Sequence, residues 1–236
     1  MKKKYEEWTG RPLTKDYVAD VIRVVTPAIL YLVVYLYWFF YIENHKFAHY
    51  TVIHTVIDDF IPFLEVFIVP YYMWFFYVTI VLAIMLLALD LSDFYKCFIF
   101  LATGMTIFLI ISTLWPNMQN LRPAVMPRDN VFTHMVLAIY KTDTSANLWP
   151  SIHVYNSIGI MIAIQHSPRF NKVATFIGHI IGASIILSTM FVKQHSVYDV
   201  ATAFIMAVIF YLLYYKTDVV EEFSKKRERK LAYHVD

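Results

Sequence analysis

The chain has 236 residues, 59% of them hydrophobic and 18% aromatic, with 20 Lys and Arg against 18 Asp and Glu for a formal net charge of +2. Soluble domains average roughly 45 to 50% apolar residues, so this excess and a mean hydropathy of +0.53 exclude an ordinary water-soluble globule and point to the bilayer. The small net charge, with no basic surface interleaved with aromatics, gives no support to a nucleic-acid partner, and a single cysteine, Cys97, excludes an intrachain disulfide.

Residues 1–23 form a charged N-terminal tail with no evident cleavable signal peptide. The first apolar run begins near Val24 and continues well past the length of a signal core. The first span is therefore expected to act as its own anchor. A membrane helix needs about 20 mostly apolar residues, at about 1.5 Å each, to cross a hydrocarbon core of about 30 Å. Six stretches qualify: Val24 to Ile42, Val69 to Leu89, Phe94 to Trp115, Ser151 to Gln165, Val173 to Phe191 and Val197 to Tyr215. The fourth is short, and proline tolerance in a helix's first turn sets its start at Pro150. These spans predict an all-α, six-helix polytopic bundle over residues 24–215, followed by a basic tail over 216–236.

An even number of spans puts both termini on one side. Of the 20 Lys and Arg, only Lys46, Arg122, Arg128, Lys141 and Lys193 fall on the other side, so the positive-inside rule predicts cytoplasmic termini. Between the first two spans, His45 to Tyr72 starts polar and turns apolar. Pro62 and Pro70 argue against one continuous helix there, which predicts an interfacial or re-entrant segment with Tyr71, Tyr72 and Trp74 at headgroup level. The run Lys225 to Lys230 reads as a tail attracted to anionic lipid, or equally as a solvated helix end.

Three further segments emerge on the outer side: Trp115 to Pro123 after the third span, Trp149-Pro150-Ser151-Ile152-His153 opening the fourth, and Lys193 to Asp199 closing the fifth. The short turn from Ser167 to Lys172 makes the fourth and fifth spans an antiparallel hairpin, which returns His153 and His195 to similar depth. If His195 and Asp199 share a helix, their i, i+4 spacing puts both on one face. Asp199 would then accept the Nδ1 proton and leave Nε2 free to attack an electrophile. His153 fits the role of acid and base. Arg122, Ser151 and Lys193, with the free N–H groups opening the fourth helix, are placed to bind anionic phosphate oxygens. Each element alone has a plainer reading: an interfacial histidine, a headgroup anchor, a helix-start serine. Their convergence favours a joint site.

Other candidates are weaker. His45, His49, His54 and Asp58 form a suggestive outer group, but without cysteine or tight spacing they make a poor metal motif. Asp143 and Asn147 are expected to cap or order the approach to the fourth helix. Glu65 stands as a charge at interfacial depth that could also line a headgroup pocket.

At these residues the chain resembles the type 2 phosphatidic acid phosphatase superfamily, whose motifs are Lys-x6-Arg-Pro, Pro-Ser-Gly-His and Ser-Arg-x5-His-x3-Asp. Arg122-Pro123 ends the first, Pro150-Ser151-Ile152-His153 matches the second with Ile152 for glycine, and Ser188-Thr189 with His195 and Asp199 matches the third with Thr189 for arginine. The resemblance runs from about Trp115 into the sixth span. It implies a nucleophilic His195, Asp199 as its orienter, His153 as acid and base, and Arg122, Ser151 and Ser188 lining a phosphate pocket that uses no metal and no cofactor. It also implies a lipid phosphate substrate at the outer face of, most simply, the plasma membrane.

Trp115 stands where the family has lysine and Thr189 where it has arginine, so two phosphate-binding cations are absent; Lys193, Arg128 and Lys141 are the candidates to replace them. The same loss resembles relatives that move phospho-headgroups between lipids, the sphingomyelin and inositol phosphorylceramide synthases. A phosphatase, a phosphotransferase and a non-catalytic lipid binder or transporter are thus all open at this stage, and oligomeric state is not addressed by the sequence.

Overall fold

The computed structural model describes residues 2–10, 12 and 14–232. Arg11 and residues 233–236, which the sequence assigns to the tails, lie outside the described residues, as do the side chains of Lys2, Lys4, Arg229 and Lys230. The described chain is mostly helical: α1 (Lys2–Thr9), α2 (Lys15–Asn44), α3 (Val56–Phe60), α4 (Ile68–Leu87), α5 (Leu91–Leu114), α6 (Val131–Thr142), α7 (Ile152–His166), α8 (Lys172–Phe191), α9 (Val197–Tyr215) and α10 (Val219–Ala232). A single-turn 3-10 helix at Glu65–Phe67 precedes α4. The only sheet among the described residues is a two-residue parallel pairing of β1 (Thr51–Val52) with β2 (Asn117–Met118).

Among the described residues five helical stretches are long and apolar enough to cross a membrane: Lys15–Asn44, Glu65–Leu87, Leu91–Leu114, Lys172–Phe191 and Val197–Tyr215. They mark the chain as membrane-embedded. α7 has only 15 residues, about 22 Å at the helical rise, and falls short by length. It is instead the central helix, packed against α4, α5, α8 and α9, with His153, Val154, Asn156, Ser157 and Ile160 all buried. Close packing depends on two glycines. A Cβ on Gly104 of α5 would lie 2.1 Å from the Tyr155 ring, and one on Gly159 of α7 would lie 2.7 Å from the Phe100 ring.

Several boundaries differ from the sequence expectation. α2 starts at Lys15, well before Val24, because Thr14 accepts a hydrogen bond from Tyr17 N–H at 3.2 Å and Asp16 complements the helix dipole. The basic tail is not free. It forms α10, which buries Val220, sets Phe223 edge-on to Tyr95 of α5, and bonds Glu221 to Lys96 at 3.6 Å. α6 arises inside a connection: Asn130 accepts from Phe132 and Thr133 N–H, and Phe132, Met135, Val136 and Ile139 then pack on Ile68 and Tyr71. The segment from His45 to Tyr72 is broken as its prolines require, with Pro62 after α3 and Pro70 in the first turn of α4.

The connections sort to two ends. Glu43 accepts from Thr144 N–H, β1 meets β2, and Asp58 meets Ser196, so the links α2–α4, α5–α7 and α8–α9 share one end. At the opposite end Arg169 of the α7–α8 turn is held by Asp90 of the α4–α5 turn at 2.5 Å. All five cations that the sequence separates from the rest lie on links at the first end.

Candidate active site

α7 and α9 open side by side at that first end. Ser151 caps α7, its Oγ accepting from Val154 N–H at 3.3 Å, while its own N–H donates to Asp199 O at 3.4 Å. The helix thus starts after Pro150, which precedes the cap in a cis Trp149–Pro150 peptide instead of occupying the first turn. With the Val154 donor taken, the N–H groups of Ile152 and His153 remain outside the helical ladder.

Ser196 caps α9, so His195 lies just before the helix and not on it. The expected contact forms nevertheless. His195 Nδ1 is 3.2 Å from Asp199 Oδ2, which also accepts from Ser196 N–H at 3.0 Å. Asp199 therefore orients the imidazole and closes the capping box at once. Both side chains are buried, and Asp199 Oδ1 has no partner. The His153 and His195 rings stand 5.8 Å apart between centroids. His153 stacks on Tyr71 at 4.8 Å and packs on Trp74 at 4.5 Å, with its Nδ1 unpartnered.

Arg122 reaches the same cluster from the α5–α6 connection. Its guanidinium lies 4.2 Å over the Tyr140 ring and donates to Tyr140 O, Asp143 O, Thr144 O and Gln194 Oε1, the last at 2.5 Å, leaving a buried Nε without a partner. Burial lowers its pKa from the ordinary value, against the opposing pull of Asp143. Gln194, next to the histidine, also contacts Asp143 Oδ2 at 3.4 Å, and Tyr71 donates to the same oxygen at 3.0 Å. Burial raises the Asp143 carboxyl above its usual range, while His195, Tyr71 and Arg122 pull the other way.

The other sequence candidates sit differently. Ser188 is fully buried and spends its hydroxyl on Ile185 O at 2.6 Å. Lys193, at φ +54°, donates Nζ to Asp58 O at 2.9 Å and Ile61 O at 2.5 Å, so its ammonium ties the outer segment to the α8–α9 turn. Arg128 is bound by Glu65 at 2.5 and 2.6 Å, and Lys141 is exposed. Trp115 donates Nε1 to Thr51 Oγ1, and Thr189 donates to Ile186 O. Arg122 is thus the one cation with its donors turned into the cluster among the described residues. Asp143 and Asn147 do not cap α7. Asp143 joins the Arg122 cluster, and Asn147, at φ +55°, leaves its Oδ1 buried and unpartnered. Glu65 is not a pocket charge but the anchor for Arg128 and Asn130.

The outer histidine group also disperses. His54 pairs with Asp59 at 2.8 Å, whereas Asp58 is buried and accepts from Ser196 Oγ at 2.6 Å and Val197 N–H at 2.8 Å. Among the described residues no three His, Cys, Asp or Glu converge as metal ligands. The places of Asp58, Gln119, Tyr71, Trp74 and Gln194 around the site escape a sequence reading because their partners are distant in the chain; Tyr71 and Trp74, expected at headgroup level, pack on His153 instead. Gln119, for example, donates to Lys193 O at 2.8 Å and accepts from Leu121 N–H, which docks the Arg122 loop on the α8–α9 turn. No protein-family model, curated protein or solved structure matches the chain.

Proposed function

We propose that the chain is a lipid phosphate phosphatase of the type 2 phosphatidic acid phosphatase kind, crossing the membrane six times with both termini in the cytoplasm. Its site would then open at the extracytoplasmic end. The short α7, enclosed by four longer helices, serves as the sixth span because its flanks are protected by protein from lipid. The observation that carries the functional reading is the pair of imidazoles 5.8 Å apart, one of them held at Nδ1 by a buried carboxylate.

In this reading His195 Nε2 attacks phosphorus, a P–N bond forms, and the P–O bond to the lipid alcohol breaks. His153 gives its proton to the departing oxygen. It then takes a proton from water, whose oxygen attacks phosphorus, breaks the P–N bond and releases phosphate. Among the described residues nothing accepts a proton from His153 Nδ1, so the anionic substrate would be the partner of its imidazolium. Arg122 Nε and the N–H groups of Ile152 and His153 are the donors left for the nonbridging oxygens. Purified protein should release phosphate from phosphatidate, and His195→Ala should reduce that release to background; unchanged turnover in the variant refutes the reading.

One observation favours a second reading, headgroup transfer. Among the described residues Arg122 is the one cation turned to the site, and the carboxyls of Asp143 and Asp199 both face it. A phosphomonoester dianion meets more repulsion there than the monoanion of a phosphodiester. The intermediate is again a P–N adduct on His195, here still carrying the headgroup ester after the lipid alcohol leaves, and a lipid or polyol hydroxyl replaces water in breaking the P–N bond. Turnover of a phosphodiester lipid that requires an added alcohol acceptor selects this reading, whereas turnover independent of acceptor removes it.

A further inference from the structure

The central helix α7 is covered on every side but one, and the gap lies toward the end opposite the histidines. Beyond Ile152 every residue of α7 is buried except Ile158, Met161, Ile162, Gln165 and His166. Their i, i+3, i+4, i+7, i+8 spacing sets all five on one face. α8 and α9 both pack on α7 and wall this stripe without closing over it, which leaves two adjoining cavities. One, of about 310 Å³, runs over the stripe between His179 of α8 and Phe204, Val208 and Tyr211 of α9. The other, of about 600 Å³, lies against the α7–α8 turn and the first turns of α8 and shares Gln165 and His179 with the first. Both have the size of ordinary ligand sites, about 300–1,000 Å³.

The polarity of this space changes along the helices. Its mouth, at the helix ends, carries Gln165, His166, Lys172 and Thr175, and beside it the Nζ of Lys216 stands 5.4 Å over the Tyr211 ring. Deeper, over about 12 Å of helix from His166 back to Ile158, the lining turns to Ile158, Met161, Ile162, Phe204, Ala207 and Val208. Among the described residues no Asp or Glu lines either cavity. Lys172 and Lys216 are both exposed, and among the described residues neither is in an ion pair, whereas Arg169 of the same turn is held by Asp90. The charge at the mouth is therefore positive and unopposed.

Such a space fits a molecule with the same order of polarity, anionic at one end and aliphatic beyond. We infer that it holds an anionic phospholipid, with the phosphodiester at Lys172 and Lys216 and one acyl chain along the Ile158, Met161 and Ile162 face of α7. A second copy of the chain fits worse, because a twofold contact through this face would set one cationic rim against another. In the orientation proposed above the lipid belongs to the cytoplasmic leaflet, the one with negative surface potential. The groove lies about 20 Å along α7 from His153, so the inference does not depend on the catalytic reading.

The test measures equilibrium binding of phosphatidylglycerol and phosphatidylcholine with identical acyl chains to the detergent-purified full chain, with native mass spectrometry recording stoichiometry and oligomeric state. One ammonium beside an anionic headgroup contributes about a factor of five. The wild type should therefore bind phosphatidylglycerol saturably and at least about fivefold more tightly than phosphatidylcholine, and Lys172→Gln combined with Lys216→Gln should bring that ratio close to one. Val208→Trp fills the groove from an exposed position on α9 and should weaken both lipids at least about tenfold, the equivalent of two buried methylenes. Ile205→Trp, also exposed on α9 but outside the groove, should weaken neither. No saturable binding or equal binding of the two lipids by the wild type overturns the inference, as does phosphatidylglycerol binding untouched by Val208→Trp. A dimer that Val208→Trp dissociates would also overturn it, by assigning the uncovered stripe to a second copy.

Discussion

Asp58 is the residue through which the outer segment controls the start of α9, and replacing it gives the sharpest structural prediction. Its carboxylate accepts four hydrogen bonds, from Ser196 Oγ at 2.6 Å, Val197 N–H at 2.8 Å, Thr55 N–H at 2.7 Å and Thr55 Oγ1 at 3.0 Å. In Asp58→Asn the three bonds to Oδ2 can persist, but an amide NH2 then faces Val197 N–H, so one donor is stranded and the charge that strengthened the others is gone. Hydrogen bonds to a charged group contribute about 1.5–3 kcal/mol each, which puts the loss at about 3 kcal/mol. For a chain of this size that corresponds to a fall in Tm of about 6–12 °C.

The pH dependence is a second readout of the same perturbation. Burial pushes the Asp58 carboxyl up, but the bonds from Ser196, Val197 and Thr55 together hold it below its ordinary value of 3.8. A carboxyl depressed in the folded state contributes stability that is complete above 3.8 and is lost as pH falls through the lower folded value. Thermal unfolding in detergent from pH 7 to pH 3 should therefore show a steeper acid limb in the wild type than in Asp58→Asn. A Tm change below about 1 °C, or parallel acid limbs, would refute the reasoning.

Asp199→Asn should cost about 10²-fold or more in turnover, since a neutral amide cannot support the imidazole's developing charge even where its oxygen keeps the contact to His195 Nδ1. Thermal stability should fall much less, because the asparagine Oδ can still accept from Ser196 N–H, and turnover with Tm on the same preparation separates the two effects. Gly104→Val should lower stability by about 1–3 kcal/mol through overpacking against Tyr155, read as a lower Tm; an unchanged value would show that α5 and α7 do not approach as described. Arg122→Lys should raise KM for the phosphate lipid at least about tenfold, since an ammonium cannot reach Tyr140 O, Asp143 O, Thr144 O and Gln194 together. Retained KM would place the phosphate elsewhere.

The five long apolar helices were legible in the sequence because hydropathy and length are local properties, and they and the shorter α7 lie within a few residues of their expected places apart from the early start of α2. α6 carried its own signal, an Asn130 cap followed by apolar residues at 132, 135, 136 and 139, but it is amphipathic and too short to register as a span. A helix end was one of the two readings of Lys225 to Lys230, but what holds α10 is tertiary: Val220, Phe223 and the Glu221 pair with Lys96.

The meeting of His153, His195, Asp199 and Arg122 followed from chain order and an antiparallel hairpin. Their immediate surroundings did not, because Tyr71, Trp74 and Asp58 come from far earlier in the chain and no spacing rule links them. The expectation that Lys193 would bind phosphate treated a nearby charge as an available one. Its ammonium meets two backbone carbonyls of the outer segment instead, an interaction visible only once that segment folds back.

The most direct test of the account is to quench the purified protein during turnover of a lipid carrying labelled phosphate and to map the bound label. The proposal predicts an acid-labile, base-stable phosphoryl group on His195 in the wild type and none in His195→Ala. Turnover with no covalent label, or a label that persists after that substitution, would contradict it.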